Sequence, residues 1–373
     1  MKKKIKVGIL FGGKSAEHEV SLQSAKNVFD AIDREKYSPM LIGIDKSGRW
    51  LLNDESQFLL DADDPKRIRL NGSSDSVALI PESGGVIANL SALKNDQPVG
   101  MRSIDVIFPI LHGPFGEDGT VQGLLKLANL PFVGSGVLGS AVGMDKDVMK
   151  RLLRDAGLPI GTFLTCSSHE AVPAFEGVTE LLGLPLFVKP ANMGSSVGVS
   201  KVHDAEEYAR ALQEAFAYDR KIILEEYIKG RELECAVLGN EDPVASVPGE
   251  VISSHEFYSY DAKYIDEKGA TVEIPAKIPE DTAKAIQELA IKTFRVLSGE
   301  GLARVDFFLK PGDCADRIII NEINTLPGFT KISMYPKLWE ASGISYTELI
   351  DRLIELAFQR FETEKRLKTT YNR

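Results

Sequence analysis

The 373-residue chain is poor in cysteine and has no long block of basic residues. Its three cysteines, Cys166, Cys235 and Cys314, lie far apart and form no CxxC pair, so we predict neither a disulfide framework nor a zinc site. With 44 Lys and Arg against 54 Asp and Glu, the formal net charge is −10. Nucleic-acid binding needs a basic surface that neutralises phosphates, so this charge argues against nucleic acid as a partner.

Long apolar segments are also scarce. The longest window without a charged residue, 127–144, contains Pro131 and four glycines, so it is interpreted as a strand, a turn and the start of a helix. The apolar stretch behind the N-terminal lysines ends after Phe11, and charged residues follow at once, unlike in a signal peptide. We therefore expect a cytoplasmic protein without a membrane segment.

The chain does contain ample material for packed cores. Hydrophobic residues make up 43% of it and charged residues 26%, and its length suggests about two or three domains. Strand patterns at 5–11, 40–44 and 104–111, with a helical pattern at 19–32, predict an α/β fold that begins with a doubly wound parallel sheet. Residues 50–102, rich in Asp, Ser, Asn and Gly, are interpreted as excursions from that sheet.

Two further modules are expected after the first. Helical spacing over 144–156 and a helix at 204–217, with Asp204 and Glu207 as capping residues, predict a central module. Later strands and a last amphipathic helix predict a third. The predicted modules span residues 1–138, 139–229 and 230–373.

Residues 8–15 match the P-loop pattern, which would indicate a kinase or another nucleotide hydrolase. The spacer of the motif begins Ile-Leu-Phe, which belongs in a sheet, whereas a P-loop wraps phosphates with a flexible polar loop. A P-loop kinase using Lys14 and Ser15 is therefore the less favoured alternative.

The clearest chemical signal lies near the C-terminus. Arg304, Asp306 and Phe308 alternate along one predicted strand and project from one face, and Glu322 and Asn324 do so on the next strand. Two carboxylates and an amide oxygen suit Mg²⁺ that bridges phosphates. The alternative is an ordinary pair of strand faces with a salt bridge between Arg304 and Asp306. The apolar surroundings favour the metal interpretation, because a buried unpaired acid is costly.

Weaker signals point to anion and substrate binding. Lys189 ends an apolar strand, and the Gly/Ser loop 194–198 offers donors for phosphate, although such loops are often plain hairpins. Glu17, at a helix start, either binds a substrate ammonium or only stabilises its helix. His112 ends a strand where ligands collect in open α/β sheets, and is as readily structural as functional. Tyr264, in a long polar loop, suggests a lid over the substrate.

In this order the segments resemble the ATP-grasp superfamily and, within it, the D-alanine–D-alanine ligases. The segments that carry the resemblance are 12–21, 112–119, 144–146, 189–198, 260–264, 303–306 and 321–328. The resemblance spans nearly the whole chain and implies a two-lobed ATP-grasp fold behind the N-terminal domain. It implies an ADP-forming ligase that makes D-alanyl-D-alanine for peptidoglycan through an acyl phosphate, with ATP and two Mg²⁺ or Mn²⁺ ions. It further implies a homodimer formed through the N-terminal module.

The resemblance also implies roles for individual residues. Glu17 and Ser195 would hold the ammonium of the first D-alanine, with His112 near its carboxylate. ATP would contact Lys146, Lys189, Lys263, Ser196, Glu225, Ile228, Glu232, Phe187 and Phe308. Asp306, Glu322 and Asn324 would bind the two ions, and Arg304 with the Gly328 amide would form the oxyanion site. Ser333 and Met334 would receive the second D-alanine, and Tyr264 would link the lid to Ser195 and Glu17.

Other activities compete with the dipeptide ligase. Within the same fold, a ligase could produce D-alanyl-D-lactate or D-alanyl-D-serine. Tyr264 in the lid favours the dipeptide, because an imidazole there would better suit a hydroxy-acid acceptor. A non-enzymatic ATP-binding regulator is a further alternative, which would bind nucleotide without releasing phosphate.

Overall fold

A computed structural model shows three main sheets in succession along the chain. The residues that the structure describes are 3–53, 58–60, 68–71, 75–80, 86–89, 102–253, 270–312, 314–368 and 370–371. Lys263 and Tyr264 of the predicted lid lie outside them. None of the helices in these ranges is long and apolar enough to span a membrane.

The N-terminal sheet has the strand order β8-β7-β6-β3-β2-β1-β9, and β4 pairs separately with β5. Its strands are β1 (Ile5–Gly12), β2 (Tyr37–Ile44), β3 (Trp50–Asn53), β4 (Leu59–Leu60), β5 (Arg69–Leu70), β6 (Asp75–Leu79), β7 (Val86–Asn89), β8 (Arg102–Ser103) and β9 (Val106–Ile110). Its helices are α1 (His18–Ala31) and α2 (Thr120–Leu127).

Only one part of this sheet is parallel. β1 pairs in parallel with β2 and with β9, as the alternating strand and helix patterns predict. The prediction that residues 50–102 leave the sheet is wrong for β3, β6 and β7, which extend it in antiparallel pairing from β2. Short chain reversals suffice for such pairing, and polar composition does not prevent it when the strands form an outer part of the sheet.

The central lobe contains an antiparallel sheet of order β10-β13-β11-β12. Its elements are α3 (Val137–Met144), α4 (Lys146–Asp155), β10 (Phe163–Ser167), α5 (Phe175–Leu182), β11 (Leu186–Pro190), β12 (Ser200–Val202), α6 (Ala205–Tyr218) and β13 (Lys221–Glu226). The predicted cap of α6 is confirmed, since the Glu207 amide donates to Asp204 Oδ1 at 2.8 Å.

The C-terminal lobe contains a sheet of order β17-β16-β14-β18-β19, with β15 paired to β14. Its elements are β14 (Arg231–Gly239), β15 (Val244–Ala245), β16 (Gly249–Ser253), β17 (Ala270–Glu273), α7 (Glu280–Val296), β18 (Gly301–Leu309), β19 (Ile318–Asn324), α8 (Met334–Ala341) and α9 (Tyr346–Lys365). Alternate residues of β14, β18 and β19 pack with α4 and α7 in one core. The other face of these strands is therefore available for polar side chains.

The N-terminal sheet and the C-terminal lobe share a hydrophobic core. Buried residues of β1, such as Val7 and Ile9, belong to the same cluster as Leu349 and Leu353 of α9. Arg360 of α9 is buried and donates to the Phe132 carbonyl at 2.8 Å. The last helix thus packs the first part of the chain against the last, and this packing positions loops from both around one cleft.

Candidate active site

The site begins with the polar face of β18 and β19. Val305 and Phe307 are buried in the core, so Arg304 and Asp306 project from the opposite face. Asp306 pairs in register with Glu322 of β19, and Arg304 pairs with Asn324. A register shift follows Asp306, and it keeps Glu322 and Asn324 on the polar face.

The structure shows the salt bridge that the sequence offered as the alternative to a metal site. Arg304 makes a bidentate salt bridge with Asp306, through Nε to Oδ1 and Nη2 to Oδ2, both at 2.7 Å. Asp306 also lies against the two other predicted metal ligands, and Asn324 Nδ2 donates to its Oδ2 at 3.0 Å. In this arrangement the predicted oxyanion residue and a predicted metal ligand neutralise each other.

The donor set fits a hard divalent cation. Asp306 and Glu322 supply carboxylate oxygens and Asn324 an amide oxygen, which are the ligand types of Mg²⁺ and Mn²⁺. Among the described residues, no cluster of three or more His, Cys, Asp or Glu is placed to hold an ion. Two carboxylates can hold Mg²⁺ when substrate phosphates complete its shell, so the set suits a metal–nucleotide complex.

A second carboxylate holds Arg304, and sequence reasoning missed it. Glu234 of β14 lies with Oε2 2.8 Å from Arg304 Nε, and its side chain is only 12% exposed. Glu234 pairs in register with Asp306, so the two acids face each other across neighbouring strands. The alternation of β14 placed Glu234 on this face, but only the sheet order shows that it meets Arg304.

Lys146 joins the central lobe to this face. Its ammonium donates to the Met193 carbonyl at 2.8 Å and lies 3.6 Å from Glu322 Oε2. The loop that follows Met193 has left-handed backbone at Ser195 and Ser196, with φ of 49° and 60°. A cation thus stands between the predicted phosphate loop and a predicted metal ligand, as a phosphate-binding residue requires.

Lys189 belongs to a buried chain of charges. Its ammonium lies 2.5 Å from Glu225 Oε2, and the ammonium of Lys150 lies 2.7 Å from Glu225 Oε1. Burial opposes ionisation of Glu225, but the two lysines hold the pKa of its carboxyl well below the ordinary value. Burial alone would lower the pKa of Lys189. The interactions with Glu225 outweigh burial, so the pKa of Lys189 is raised. Lys150 was not predicted, because a lysine on α4 gives no sign that it points inward.

The predicted adenosine residues come from both lobes. Phe187 of β11 and Tyr227 have ring centroids 6.2 Å apart, and Ile228 follows Tyr227 beyond β13. Glu232 and Phe308 pair in register across β14 and β18, on the face that carries Asp306. The side chains of Phe187, Ile228, Glu232 and Phe308 are all half-buried. Such partly exposed apolar and acidic groups suit the ring and ribose of a nucleoside.

Glu17 contacts the phosphate loop across the cleft. It begins α1 but caps no amide of that helix, and its Oε1 instead accepts a hydrogen bond from Ser195 Oγ. A Cβ built on Gly113 would lie 2.9 Å from Glu17 Oε2, and one on Gly194 3.1 Å from it. Two glycines therefore leave room for this carboxylate, which the structure brings to Ser195 as predicted.

His112 and Glu117 are two titratable side chains that lie beside Glu17. His112 is buried and Glu117 is half-buried. His112 Nδ1 lies 3.0 Å from the Leu326 carbonyl, and its buried Nε2 has no hydrogen-bond partner among the described residues. Burial lowers the pKa of His112, which favours the neutral ring. Burial, together with the charge of Glu17, raises the pKa of Glu117 to about 8. Glu117 lies in segment 112–119, which carries the family resemblance, but the sequence gives no sign that its carboxyl group is desolvated.

Several of these groups line one open cleft. The residues that line the cleft come from each of the three predicted modules. They are Glu117, Gly143, Met144, Lys146, Met193, Gly194, Glu322, Ile323, Asn324 and Thr325. The half-buried Glu117, the cation of Lys146 and two predicted metal ligands, Glu322 and Asn324, therefore face one space.

The predicted acceptor residues differ in their placement. Ser333 lies at the start of α8, and its Oγ is 2.8 Å from a Cβ built on Gly328. Its hydroxyl also accepts from the Thr330 amide at 2.9 Å. The Met334 side chain, however, is buried in the core that includes Tyr335. Any contact of Met334 with substrate must therefore come from its backbone, because its apolar side chain is already packed.

The P-loop alternative is wrong. Residues Gly8 to Phe11 lie within β1, where they pair with both β2 and β9, so they cannot wrap a phosphate. Lys14 lies outside the cleft lining, with its ammonium 5.6 Å from the centre of the Phe115 ring.

Comparison with known proteins agrees with this geometry over the whole chain. The family "D-ala D-ala ligase N-terminus" matches residues 6–135, and "D-ala D-ala ligase C-terminus" matches residues 152–355. A D-alanine–D-alanine ligase of Oceanobacillus iheyensis is 56% identical over 371 residues, which cover 98% of this chain and 99% of the relative.

Solved structures are similar in fold. The D-alanine–D-alanine ligase from Coxiella burnetii has a TM-score of 0.83 at 39% identity, covering 97% of this chain and 96% of that one. VanG D-Ala:D-Ser ligase from Enterococcus faecalis has a TM-score of 0.82 at 35% identity, covering 95% and 100%. D-alanine–D-alanine ligase from Bacillus anthracis, complexed with ATP, has a TM-score of 0.71 at 26% identity, covering 96% and 99%.

Proposed function

Because the chain belongs to the D-alanine–D-alanine ligase family, we propose that the cleft described above is where it ligates two D-alanines. The protein is an ATP-dependent ligase with the ATP-grasp fold, and its product is the D-alanyl-D-alanine used for peptidoglycan precursors. The observation that carries the placement is the convergence of Lys146, Glu322, Asn324 and Glu117 on one cleft.

The nucleotide lies between the central and C-terminal lobes. Lys146, Lys189 and the Ser196 loop bind its phosphates, because they provide cations and donors near the predicted metal ligands. Phe187 and Phe308 flank the adenine, and Glu225, Ile228 and Glu232 hold the adenosine. Lys263, which lies outside the described residues, is assigned to the phosphates by resemblance alone.

Asp306, Glu322 and Asn324 hold two Mg²⁺ or Mn²⁺ ions. Bound there, the ions neutralise charge on the phosphates during phosphoryl transfer. Arg304 already donates to both oxygens of Asp306, so an ion held there would share this carboxylate with the guanidinium.

The first D-alanine lies between Glu17 and His112. Glu17 and Ser195 hold the ammonium of this D-alanine. The Nε2 atom of His112 faces the carboxylate of the same D-alanine. The carboxylate attacks the γ-phosphoryl group and becomes an acyl phosphate, which is a better acyl donor than a free carboxylate. Exclusion of water protects that intermediate.

The second D-alanine attacks the acyl carbon of the acyl phosphate with its free amine, and collapse of the tetrahedral adduct breaks the acyl C–O bond and releases inorganic phosphate. Arg304 and the Gly328 amide stabilise the oxyanion of the tetrahedral adduct, which is the step where fixed donors contribute most. Ser333 and the Met334 amide, at the start of α8, receive the acceptor carboxylate. Tyr264 of the lid, outside the described residues, links to Ser195 and Glu17.

The wider organisation is part of the proposal. The chain divides into modules 1–138, 139–229 and 230–373, works in the cytoplasm and binds neither membrane nor nucleic acid. It forms a homodimer through the first module, where Leu124 and Leu127 of α2 are exposed apolar residues, next to the exposed Leu138 on the adjoining helix α3.

One assay tests the chemistry. Purified protein with ATP, Mg²⁺ and D-alanine alone should release ADP and form a dipeptide that mass spectrometry identifies. Glu322→Ala or Arg304→Ala should lower kcat by about 100-fold or more, because each removes a charged group that acts in the transition state. Lys14→Ala is the matched control and should leave kcat within about twofold. Absence of turnover with D-alanine alone would contradict the proposal, and D-lactate or D-serine added as acceptors would identify the competing ligases.

A further inference from the structure

We propose that Glu234 is a positioning residue that holds Arg304 in place while magnesium occupies Asp306. This inference rests on the proposed function, in which Arg304 stabilises the oxyanion and Asp306 binds the metal. It concerns a carboxylate that none of those roles includes.

The first argument is the register of three strands. Glu234 on β14, Asp306 on β18 and Glu322 on β19 form one row across the polar face, because Asp306 pairs with both of the others. Like charges that face each other across strands repel. Arg304 lies one row away on the same face, and its guanidinium is in contact with both Glu234 and Asp306.

The second argument is competition for Asp306. Both of its carboxylate oxygens accept from Arg304, at 2.7 Å each, and an ion bound at Asp306 would use the remaining lone pairs of the same oxygens. Such an ion would withdraw electron density from these oxygens and weaken both hydrogen bonds, so a second acid beside the guanidinium would help to keep it in place. Glu234 is 2.8 Å away on the neighbouring strand and is not among the metal ligands.

The third argument is the environment of the pair. The side chains of Arg304 and Glu234 are 19% and 12% exposed, so water competes only weakly for their charges. Glu234 also neutralises the guanidinium, which otherwise lies beside divalent cations of the same sign. A carboxylate at this position therefore keeps a catalytic arginine near the metal that repels it.

The test compares Glu234→Gln with Glu250→Gln. Glu250 forms a buried pair with Arg231, at 2.8 and 2.7 Å, in the same sheet, so its loss controls for stability. We expect kcat of Glu234→Gln to fall by about tenfold to 100-fold, since misplacing a catalytic group costs rate, with the KM for ATP unchanged. The Kd for Mg·ADP, measured by calorimetry, should also be unchanged, because the metal ligands remain.

A double variant tests whether Glu234 acts only through Arg304. In the Arg304→Ala background, Glu234→Gln should lower kcat no further, since Glu234 acts only through Arg304. Glu234→Asp, which keeps the charge on a shorter side chain, should lower kcat by less than Glu234→Gln does, and it serves alone if the amide variant fails to fold.

Several results would overturn the inference. They are an unchanged kcat in the Glu234 variants, an equal loss in Glu250→Gln, a further loss in the Arg304→Ala background, or weaker Mg·ADP binding. Failure of the proposed function is distinguishable, because the wild type would then form no dipeptide or would bind ADP without dependence on Mg²⁺.

Discussion

Glu117 carries a carboxyl group whose surroundings oppose its ionisation. Burial is the main cause, and the negative charge of Glu17 is the second, so the pKa of Glu117 rises to about 8. Amide N–H groups of Gly113 and Leu326 donate to its oxygens at 2.8 and 3.3 Å and act in the opposite direction. At neutral pH the group therefore keeps its proton in the folded protein, whereas in the unfolded chain it ionises near its ordinary pKa of 4.5.

We expect Glu117→Gln to gain stability relative to the wild type as the pH rises. Between the two pKa values the folded state binds a proton that the unfolded state lacks, so the wild type's free energy of unfolding falls with rising pH. An amide cannot ionise, and the difference should change by about 1–3 kcal/mol between about pH 5 and about pH 8.5. Urea denaturation at both pH values measures it, with exposed Glu288→Gln as the control. Parallel curves for Glu117→Gln and the wild type would refute the prediction.

Lys150 controls how strongly Glu225 attracts Lys189. Replacing Lys150 with Met removes one of two lysines that share the carboxylate, so Glu225 should draw Lys189 away from the nucleotide. We expect the KM for ATP to rise by about tenfold and the free energy of unfolding to fall by about 2–4 kcal/mol. Steady-state kinetics and denaturation measure the two effects. Lys221→Met breaks a pair with Asp145 at the other end of β13, and it should lower stability without raising this KM.

At the level of elements, alternation along a strand determined most of the site. In β14, β18 and β19 one set of alternate residues fills the core, and the other set provides Glu234, Arg304, Asp306, Glu322 and Asn324. This pattern was legible in the sequence because burial alternates with a period of two. The row formed by Glu234, Asp306 and Glu322 could not be predicted from the sequence, because it depends on which strands are neighbours in the sheet.

The cap of α6 gives a prediction for a single element. Asp204 Oδ1 accepts from the Glu207 amide at 2.8 Å, and the Glu207 carboxylate accepts from the His203 amide at 2.8 Å. Asp204→Ala should lower the free energy of unfolding by about 1 kcal/mol, since the helix loses its side-chain cap. Urea denaturation checks this, and Asp204→Asn, which can still cap, should retain most of the stability. The kcat of both variants should equal that of the wild type, because α6 contributes none of the proposed site residues.

The whole molecule is held together by contacts between its first and last segments. Lys36 lies 2.5 Å from Asp351 of α9, and Tyr37 donates to the same carboxylate. Asn27 donates to the Phe329 carbonyl at 3.3 Å, and the rings of Phe108 and Phe329 pack edge to face. His112 is therefore set against Leu326 by a core that spans the chain, so the proposed site for the first D-alanine depends on both ends of the protein.

The proposed dimer predicts a change in mass. Leu127 and Leu138 are 73% and 63% exposed on α2 and α3, and two carboxylates at a buried interface would be costly. Leu127→Glu combined with Leu138→Glu should convert a dimer to a monomer in sedimentation velocity. Leu181→Glu, at a side chain 54% exposed on α5 in the central lobe, is the control and should remain dimeric. If the wild type sediments as a monomer, the proposed dimer is wrong.

The sequence predicted the local elements well because their causes are local. The predicted helix over 19–32 is found at His18–Ala31, and the predicted strand that carries Arg304, Asp306 and Phe308 is found at Gly301–Leu309. The antiparallel extension of the first sheet was missed, since the strands of residues 50–103 have only two to five residues each and are separated by polar segments. Lys150, Glu117 and Glu234 were missed for another reason: each has a contact with a residue that is distant in the chain.

By itself, the sequence determined which residues could carry the chemistry. They include Lys189, which ends a strand, and the acids Asp306 and Glu322, which lie on successive strands. The motifs around them together resemble one family. Periodicity and short-range capping need only neighbours within a few residues, so they can be read without coordinates. The tertiary structure alone decided which charges face each other, because Arg304 lies 70 positions from Glu234, and Lys150 lies 75 positions from Glu225. Burial and strand order set those distances, and both follow from how the whole chain packs.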